Sequence, residues 1–457
     1  MTVLKKKHLV VAGGGPAGIS AATQAAHQGM AVTVVDEYDR LGGQYFRGRQ
    51  ESTAAGSPRR FLRESPDVQV FANTVVVDTP AKGVLSIWKQ GGGVQSLAYD
   101  ALVVATGAYD RTVALPGWTL PGVFTAGGAS TLAKAHGVTP GRRLLVAGSG
   151  PFLLAVADDL SARGCNVQVV EATPLRTSVG GLPTIARDPA ITRQTIGYLS
   201  RLGWRRVRRR YASMVTAIHG DDRVEAATIH RVDPDWRPIA GSETTVEVDA
   251  VCLGFGFVPQ LELAQALECT IGYWEASSDF YVKTDDAMRT SQANVYAAGE
   301  VTGIGGVPVA VAEGCLAGLT AAYDLGLVGK SGYDAEVREL TRRRVRARRL
   351  GDWIRHAYRP RAGLWSLADA QTMLCRCEDV TMQSAEAALA HNPATPYAVK
   401  TATRAGFGLC QGRICSPYLI EWLRARHGYR VPEEERPWRV RPPIRPVPAG
   451  AWLTDRE

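Results

Sequence analysis

The chain contains no apolar run approaching the roughly 20 residues that a membrane-crossing helix needs. It has no low-complexity tract, and no Cys-x-x-Cys pair occurs in it. The opening MTVLKKKHLVVAGGG carries a basic prefix, but its apolar stretch is far too short for a signal peptide and runs directly into glycines. The location expected is therefore the cytoplasm, with peripheral attachment at the inner face of the membrane as the alternative. In the cytoplasm disulfides are rare, and clustered cysteines point to metal or redox work. Acidic residues are outnumbered, 44 against 53 Lys and Arg. Much of the excess lies in two arginine runs, RRVRRR (205–210) and the stretch 341–361. No nucleic-acid module accompanies them, so a solvated surface is the expected reading, and a protein-docking surface the alternative. With 457 residues, the chain can hold two to four domains.

What is present begins with HLVVAGGGPAGISAATQAAHQGMAVTVVDE: an apolar strand, a glycine loop, an alanine-rich helix and a second strand. Gly13, Gly15 and Gly18 fit G-x-G-x-x-G in the context that gives this motif meaning. Gly13 allows the turn, Gly15 lets the backbone approach a pyrophosphate, and Gly18 lets helix and strand pack closely. The free N–H groups of the helix start then face the phosphates. Asp36 closes the second strand, where a carboxylate can bond ribose hydroxyls, and the adjacent Glu37 is an alternative. A second unit follows in RRLLVAGSGPFLLAVADDLSARGCNVQVVE. Gly148, Gly150 and Glu171 repeat the pattern, but Leu153 stands where the third glycine should be and is expected to crowd the helix against the strand.

Near the end, MLCRCEDV and GLCQGRIC supply Cys375, Cys377, Cys410 and Cys415. Cysteines one residue apart make a poor disulfide and a good pair of metal ligands. Four thiolates fit a [2Fe–2S] cluster or a structural zinc; the spacing differs from that of a zinc ribbon, which favours the cluster. Cys165, Cys252, Cys269 and Cys315 stand alone in apolar or small-residue surroundings and read as inert core residues. The eight histidines are scattered, and no catalytic base can be assigned.

In order, GGGPAG, VVDE, LGGQ, ATGAYDR, GSGPFL and VYAAGE resemble the two-dinucleotide-domain flavoproteins, the family of glutathione and thioredoxin reductases, over residues 8–325. The resemblance implies an α/β fold of two Rossmann-like dinucleotide-binding domains, with FAD on the first. Gly13, Gly15, Pro16, Ala17, Gly18, Asp36 and Glu37 would hold its ADP half, and Gly42, Gly43 and Gln44 would continue along it. Val75 would touch the adenine, Ala105, Thr106 and Gly107 would line its path, and Gly299 and Glu300 would approach the ribityl–phosphate region. The family usually has aspartate at the last position. No dithiol lies near the flavin, which excludes dithiol–disulfide exchange. The C-terminal cysteines are similar to the helical [2Fe–2S] module of the bacterioferritin-associated-ferredoxin type, with a helix delivering both late cysteines.

Taken together, the parts resemble the larger FAD/[2Fe–2S] subunits of opine (octopine or nopaline) oxidases, hydrogen cyanide synthase and dye-linked proline or hydroxyproline dehydrogenases. The domains expected are 1–115 with 250–330 for FAD, 116–249 for a second nucleotide (ATP or NAD), a 331–369 arginine-rich linker, a 370–430 cluster module and a 431–457 proline-rich tail. The resemblance implies an electron-transfer subunit of an amine or imino-acid dehydrogenase. It would receive electrons from an amino-acid-oxidase-like flavoprotein subunit, with a small ferredoxin-like protein conceivable as the third subunit, and pass them to a respiratory acceptor. The rival readings are a stand-alone NAD(P)H-dependent reductase and a non-catalytic assembly subunit.

Overall fold

Short, largely apolar strands such as LVVA, VTVV, LLVAG and VCLG suit a parallel sheet covered on both faces. The computed structural model of the protein, which describes residues 6–47, 57–432 and 438–453, arranges them in two such sheets. Residues 1–5 of the basic prefix and parts of the proline-rich tail lie outside the described residues. The first sheet runs Val295–Ala297, Ala101–Val104, His8–Ala12, Ala31–Val35, Val68–Phe71, all parallel. The second runs Val123–Thr125, Ala250–Gly254, Arg143–Gly148, Asn166–Glu171, Arg208–Tyr211, again all parallel. Each unit also carries a three-stranded antiparallel sheet: Thr74–Ala81, Val84–Lys89 and Val94–Ala98 in one, Ser213–His219, Ala226–Arg231 and Thr244–Glu247 in the other. The two halves are thus built to one plan, an α/β doubly-wound fold used twice.

Two boundaries differ from expectation. The strand Ala250–Gly254 pairs in register with Arg143–Gly148, so the chain rejoins the first unit only after Gly254, not at 250. Its apolar run satisfies either sheet equally, and only the tertiary register decides. Residues 330–357, expected as a helical bridge to the next module, form one helix, Lys330–Ala357, but it packs along the helix Val307–Asp324 of the first unit, so that unit runs on past 330. Two of its arginines anchor it: Arg344 pairs with Asp286 at 2.7 Å, and Arg348 pairs with the buried Glu313.

The helix Val307–Asp324 in turn lies against Pro16–His27. Gly314 and Gly318, one turn apart, face the carbonyls of Ala17 and Ala21, where any Cβ would collide with backbone. That contact fastens the late part of the chain onto the first glycine-loop helix.

The C-terminal module consists of a hairpin (Met373–Cys375, Val380–Thr381) and three helices, Met382–Leu389, Pro396–Thr403 and Cys415–His427. Its core is continuous with that of the second unit, through Trp118, Trp236, Leu364, Tyr418 and Trp422. Trp118 donates its indole N–H to the Met373 carbonyl at 2.7 Å. The tail does not trail free. Trp438 packs on Gly406 and Gly412 of the module, Gln411 donates to the Pro443 carbonyl at 2.7 Å, and the Ile444 N–H bonds to the Val77 carbonyl at 2.8 Å. Residues 438–445 therefore form a strap between the cysteine module and the first unit. Among the described residues no helix is long and apolar enough to cross a membrane.

Candidate functional site

The expected residues of the first unit converge at the carboxyl edge of its sheet. Gly13 has φ +110°, and a Cβ there would strike the Ala105 carbonyl. Gly15 opens the helix Pro16–His27, and the nearest atom to a Cβ at that position is Gly43 Cα at 3.9 Å. Only glycine backbone approaches this position. Gly42 donates to the Gly14 carbonyl at 2.7 Å, folding the second glycine pair over the first loop. Gly299 sits against Ala17, which brings the 297–300 turn to the same helix start. The Gln44 side chain bridges Tyr38 (3.3 Å) and Thr131 (3.0 Å). Thr106 donates its hydroxyl to the Gln260 carbonyl at 2.8 Å, and the Gln260 N–H returns to the Gly107 carbonyl at 2.9 Å. Val75 lies half-buried on the strand Thr74–Ala81, two residues before the strap contact at Val77.

Asp36 and Glu37 divide their duties. Asp36 is buried and accepts the N–H groups of Gly14 and Tyr38, the latter at 2.8 Å. Burial raises its pKa, and the two backbone donors work against that rise. Glu37 faces outward and pairs with Arg445 of the strap at 3.3 Å. Glu300, the departure from the family's aspartate, accepts the Gly306 N–H at 2.9 Å, and burial raises its pKa.

Sequence reasoning missed Glu313. Its side chain is fully buried and accepts from the Gly299 N–H (3.0 Å), the Thr302 hydroxyl (2.7 Å) and Arg348. The available signal was a lone acid amid small apolar residues in VAVAEGCLAG. A buried Arg111–Asp279 ion pair was also missed.

The second unit repeats the geometry with one change. Glu171 accepts from the Gly150 N–H (2.9 Å) and the Thr173 N–H (2.8 Å), as Asp36 does from its own loop, and burial pushes its pKa up to about 7. Leu153 does not crowd the strand, because the facing residue is Gly254; a Cβ there would lie 2.8 Å from Leu153 Cδ2. The missing loop glycine is replaced by a strand glycine opposite. The loop itself is covered. Tyr358, just past the arginine-rich helix, lies over Gly150, with its hydroxyl on Ser178 Oγ at 2.9 Å.

The four clustered thiols come together in two pairs. Cys375 hydrogen-bonds with Cys415, and Cys377 with Cys410. Each pair takes one early and one late cysteine, crossing the pairs set by sequence spacing. Cys375 ends the hairpin's first strand, Cys377 is exposed in the turn after it, Cys410 lies in a turn, and only Cys415 stands on a helix, at its start. The helix therefore delivers one late cysteine, not two. The Cys415 contact and the N–H groups of Gly406, Cys377 and Glu378 pull Cys375 down to about 5, and Cys415 is raised in return. Among the described residues no three His, Cys, Asp or Glu side chains converge as a single-ion site requires. Two pairs of thiols suit two irons with two protein sulfurs each, better than one tetrahedral zinc.

Between module and first unit lies a cavity lined by Tyr109, Glu262, Phe280, Arg413, Ile420 and Trp438. Arg413 crosses this junction, reaching Glu262 at 2.8 Å, the Cys410 carbonyl at 3.1 Å and the Ile444 carbonyl.

Paired glycine-loop units joined to a four-thiol module define a flavoprotein oxidoreductase with an iron–sulfur domain, and the comparisons agree. Residues 7–314 match the pyridine nucleotide-disulphide oxidoreductase family and 373–425 the BFD-like [2Fe-2S] binding domain, which imply FAD and a [2Fe–2S] cluster respectively. The chain belongs to the pyridine nucleotide-disulphide oxidoreductase family, in the group that includes hydrogen cyanide synthase subunit HcnB and one of the subunits of opine oxidase. It is 32% identical to this opine oxidase protein of Rhizobium meliloti (strain 1021), over 96% of this chain and 97% of that one. It is 30% identical to HcnB of Pseudomonas aeruginosa, over 97% of each. In fold it is similar to L-proline dehydrogenase from P. horikoshii (TM-score 0.67, 19% identity, 98% of this chain and 80% of that one).

Proposed function

We propose that this chain is the FAD and iron–sulfur subunit of a multi-subunit dehydrogenase for an amine or imino acid, receiving electrons from an oxidase-like flavoprotein partner and delivering them to a respiratory acceptor. The observation that carries this reading is the chain-long similarity to subunits of opine oxidase and hydrogen cyanide synthase. The glycine-lined first loop and the two thiol pairs support it. When bound, FAD exchanges two electrons and a [2Fe–2S] cluster one, and that conversion is the chemistry the pair supplies. Gly13, Gly15 and Gly18 hold the cofactor's phosphates. Asp36 bonds its ribose, and Gly299 with Glu300 shapes the far end. Cys375, Cys377, Cys410 and Cys415 hold the cluster, and Arg413 fixes the Cys410 turn to the first unit. Tyr358 faces Gly150, where the phosphates of either candidate second nucleotide, ATP or NAD, would approach the second loop. The protein works in the cytoplasm.

The test is purification under nitrogen, alone and co-expressed with an amino-acid-oxidase-like subunit. Expected are bound flavin, iron with acid-labile sulfide, and dye-linked oxidation of proline, hydroxyproline, glycine or an opine only by the combination. Stoichiometric zinc without sulfide, or amine turnover by the chain alone, overturns the reading. A second reading, a stand-alone NAD(P)H-dependent reductase, is favoured by Glu171, which mirrors Asp36. Flavin bleaching by NADH without a partner would establish it.

A further inference from the structure

The strap at 438–445 passes from one core to another. Trp438 belongs to the core shared by the cysteine module and the second unit, whereas Ile444, 3% exposed, belongs to a core of the first. Ile444 shares that core with Ala12, Val35 and Val104. These are the last residues of the three strands that lead into Gly13, Asp36 and Ala105. The strap therefore seats itself where the first unit's loops begin.

Three arginines lie along it, and they are not alike. Arg439 and Arg441 are exposed, but Arg445 turns inward, with 22% of its side chain accessible. Its guanidinium meets two residues beside the expected cofactor path. One is Glu37, at 3.3 Å, directly after the acid that closes the second strand. The other is the buried Gln260. With its amide turned so that both ends are satisfied, Gln260 accepts from Arg445 and from the Tyr109 hydroxyl at 2.6 Å, and donates to the Thr106 carbonyl. The Gln260 backbone completes the grip, taking the Thr106 hydroxyl on its carbonyl at 2.8 Å and giving its N–H to the Gly107 carbonyl at 2.9 Å.

A loop that must be ordered each time a ligand binds costs affinity, and one ordered beforehand does not. Arginine suits the ordering task here. Its donors form a rigid fork that can hold a carboxylate and an amide oxygen together, and its charge does not titrate. We propose that Arg445 is a positioning residue for FAD. Through Glu37 it fixes the end of the second strand, through Gln260 it fixes the Thr106–Gly107 turn, and the strap thereby retains the cofactor. This rests on the reading that FAD occupies the first unit, and it gives the tail a task that reading does not.

The experiment follows release of FAD from the full-length chain on dilution, by the fluorescence of the free cofactor. Arg445→Met should release it roughly tenfold faster than the wild type, the size expected when charge-assisted hydrogen bonds are lost. Arg445→Lys, which keeps the charge but not the fork, should fall between the two. Thermal melts of the flavin-free chains should agree, and so should hydrogen exchange at the Ile444 N–H, which reports the strap's bond to Val77. Release from Arg445→Met at the wild-type rate overturns the proposal. So does faster release together with exposure of the Ile444 N–H, because Arg445 is then only a clasp for the strap. A wild type that carries no flavin refutes instead the FAD reading on which the proposal stands.

Discussion

Glu171 shows how much one acid's setting governs it. Its ordinary value is 4.5, and burial raises that to about 7 in the fold, two backbone N–H donors notwithstanding. The folded chain then keeps a proton that the unfolded chain releases. This contribution to stability is complete below the unfolded value and is lost as pH rises through about 7. Glu171→Gln, which carries no ionisation, should therefore gain on the wild type as pH climbs from about 4.5 to above 7 in denaturant melts; a pH-independent difference would refute the assignment. Glu313 is fully buried as well, and its side chain is satisfied by Arg348, Thr302 and Gly299. Removing it leaves Arg348 without its partner beside the 297–300 turn, so Glu313→Ala should cost about 3 kcal/mol or more, with Glu313→Gln losing less. Urea melts of the two variants separate these outcomes. Neither role could be read from sequence in full. The carboxylate at 171 is placed by its motif, but the partners of Glu313 lie on either side of it, 14 residues before and 35 after.

At the scale of elements, the two glycine-loop units and the cysteine module were legible because each is local: strand, loop and helix follow one another within about 30 residues. What escaped depends on long-range pairing. An apolar run such as AVCLG fits either sheet, and an arginine-rich helix does not announce that Asp286 and Glu313 await it. Leu153 was expected to crowd the helix against the strand, yet the compensating glycine is on a strand a hundred residues later. The strap is the least legible element, since proline-rich sequence carries no periodicity. Its anchor is Trp438, 8% exposed and seated on Gly406 and Gly412. Trp438→Ala should lower the stability of the module by about 3 kcal/mol, within the usual range for a buried tryptophan. Differential hydrogen exchange should then show the 406–412 turn opening ahead of the two sheets. Uniform exchange across the chain would mean that the strap holds nothing.

On the scale of the whole molecule, the two halves share a plan but not a fate. Gly15 faces only the backbone of Gly43, and Gly150 faces the side chain of Tyr358. They also differ in continuity. The second sheet draws its strands from one stretch, 123–254, whereas the first takes its edge strand from Val295–Ala297 and its covering helix from Val307–Asp324. On the ribosome, that arrangement reverses the order in which the units mature. The part made first waits, with its glycine-loop helix uncovered, until some 324 residues have been synthesised, while the part made second can close on its own. A chain halted near residue 260 should resist protease across 123–254 and be cut readily before residue 115; equal resistance in both would show that the opening unit closes without its late strand. The link of Ile444 to Val77 forms only after residue 444 has been made, later than every strand of both sheets. Birth order therefore makes the strap's link to the first unit later than the closure of either sheet.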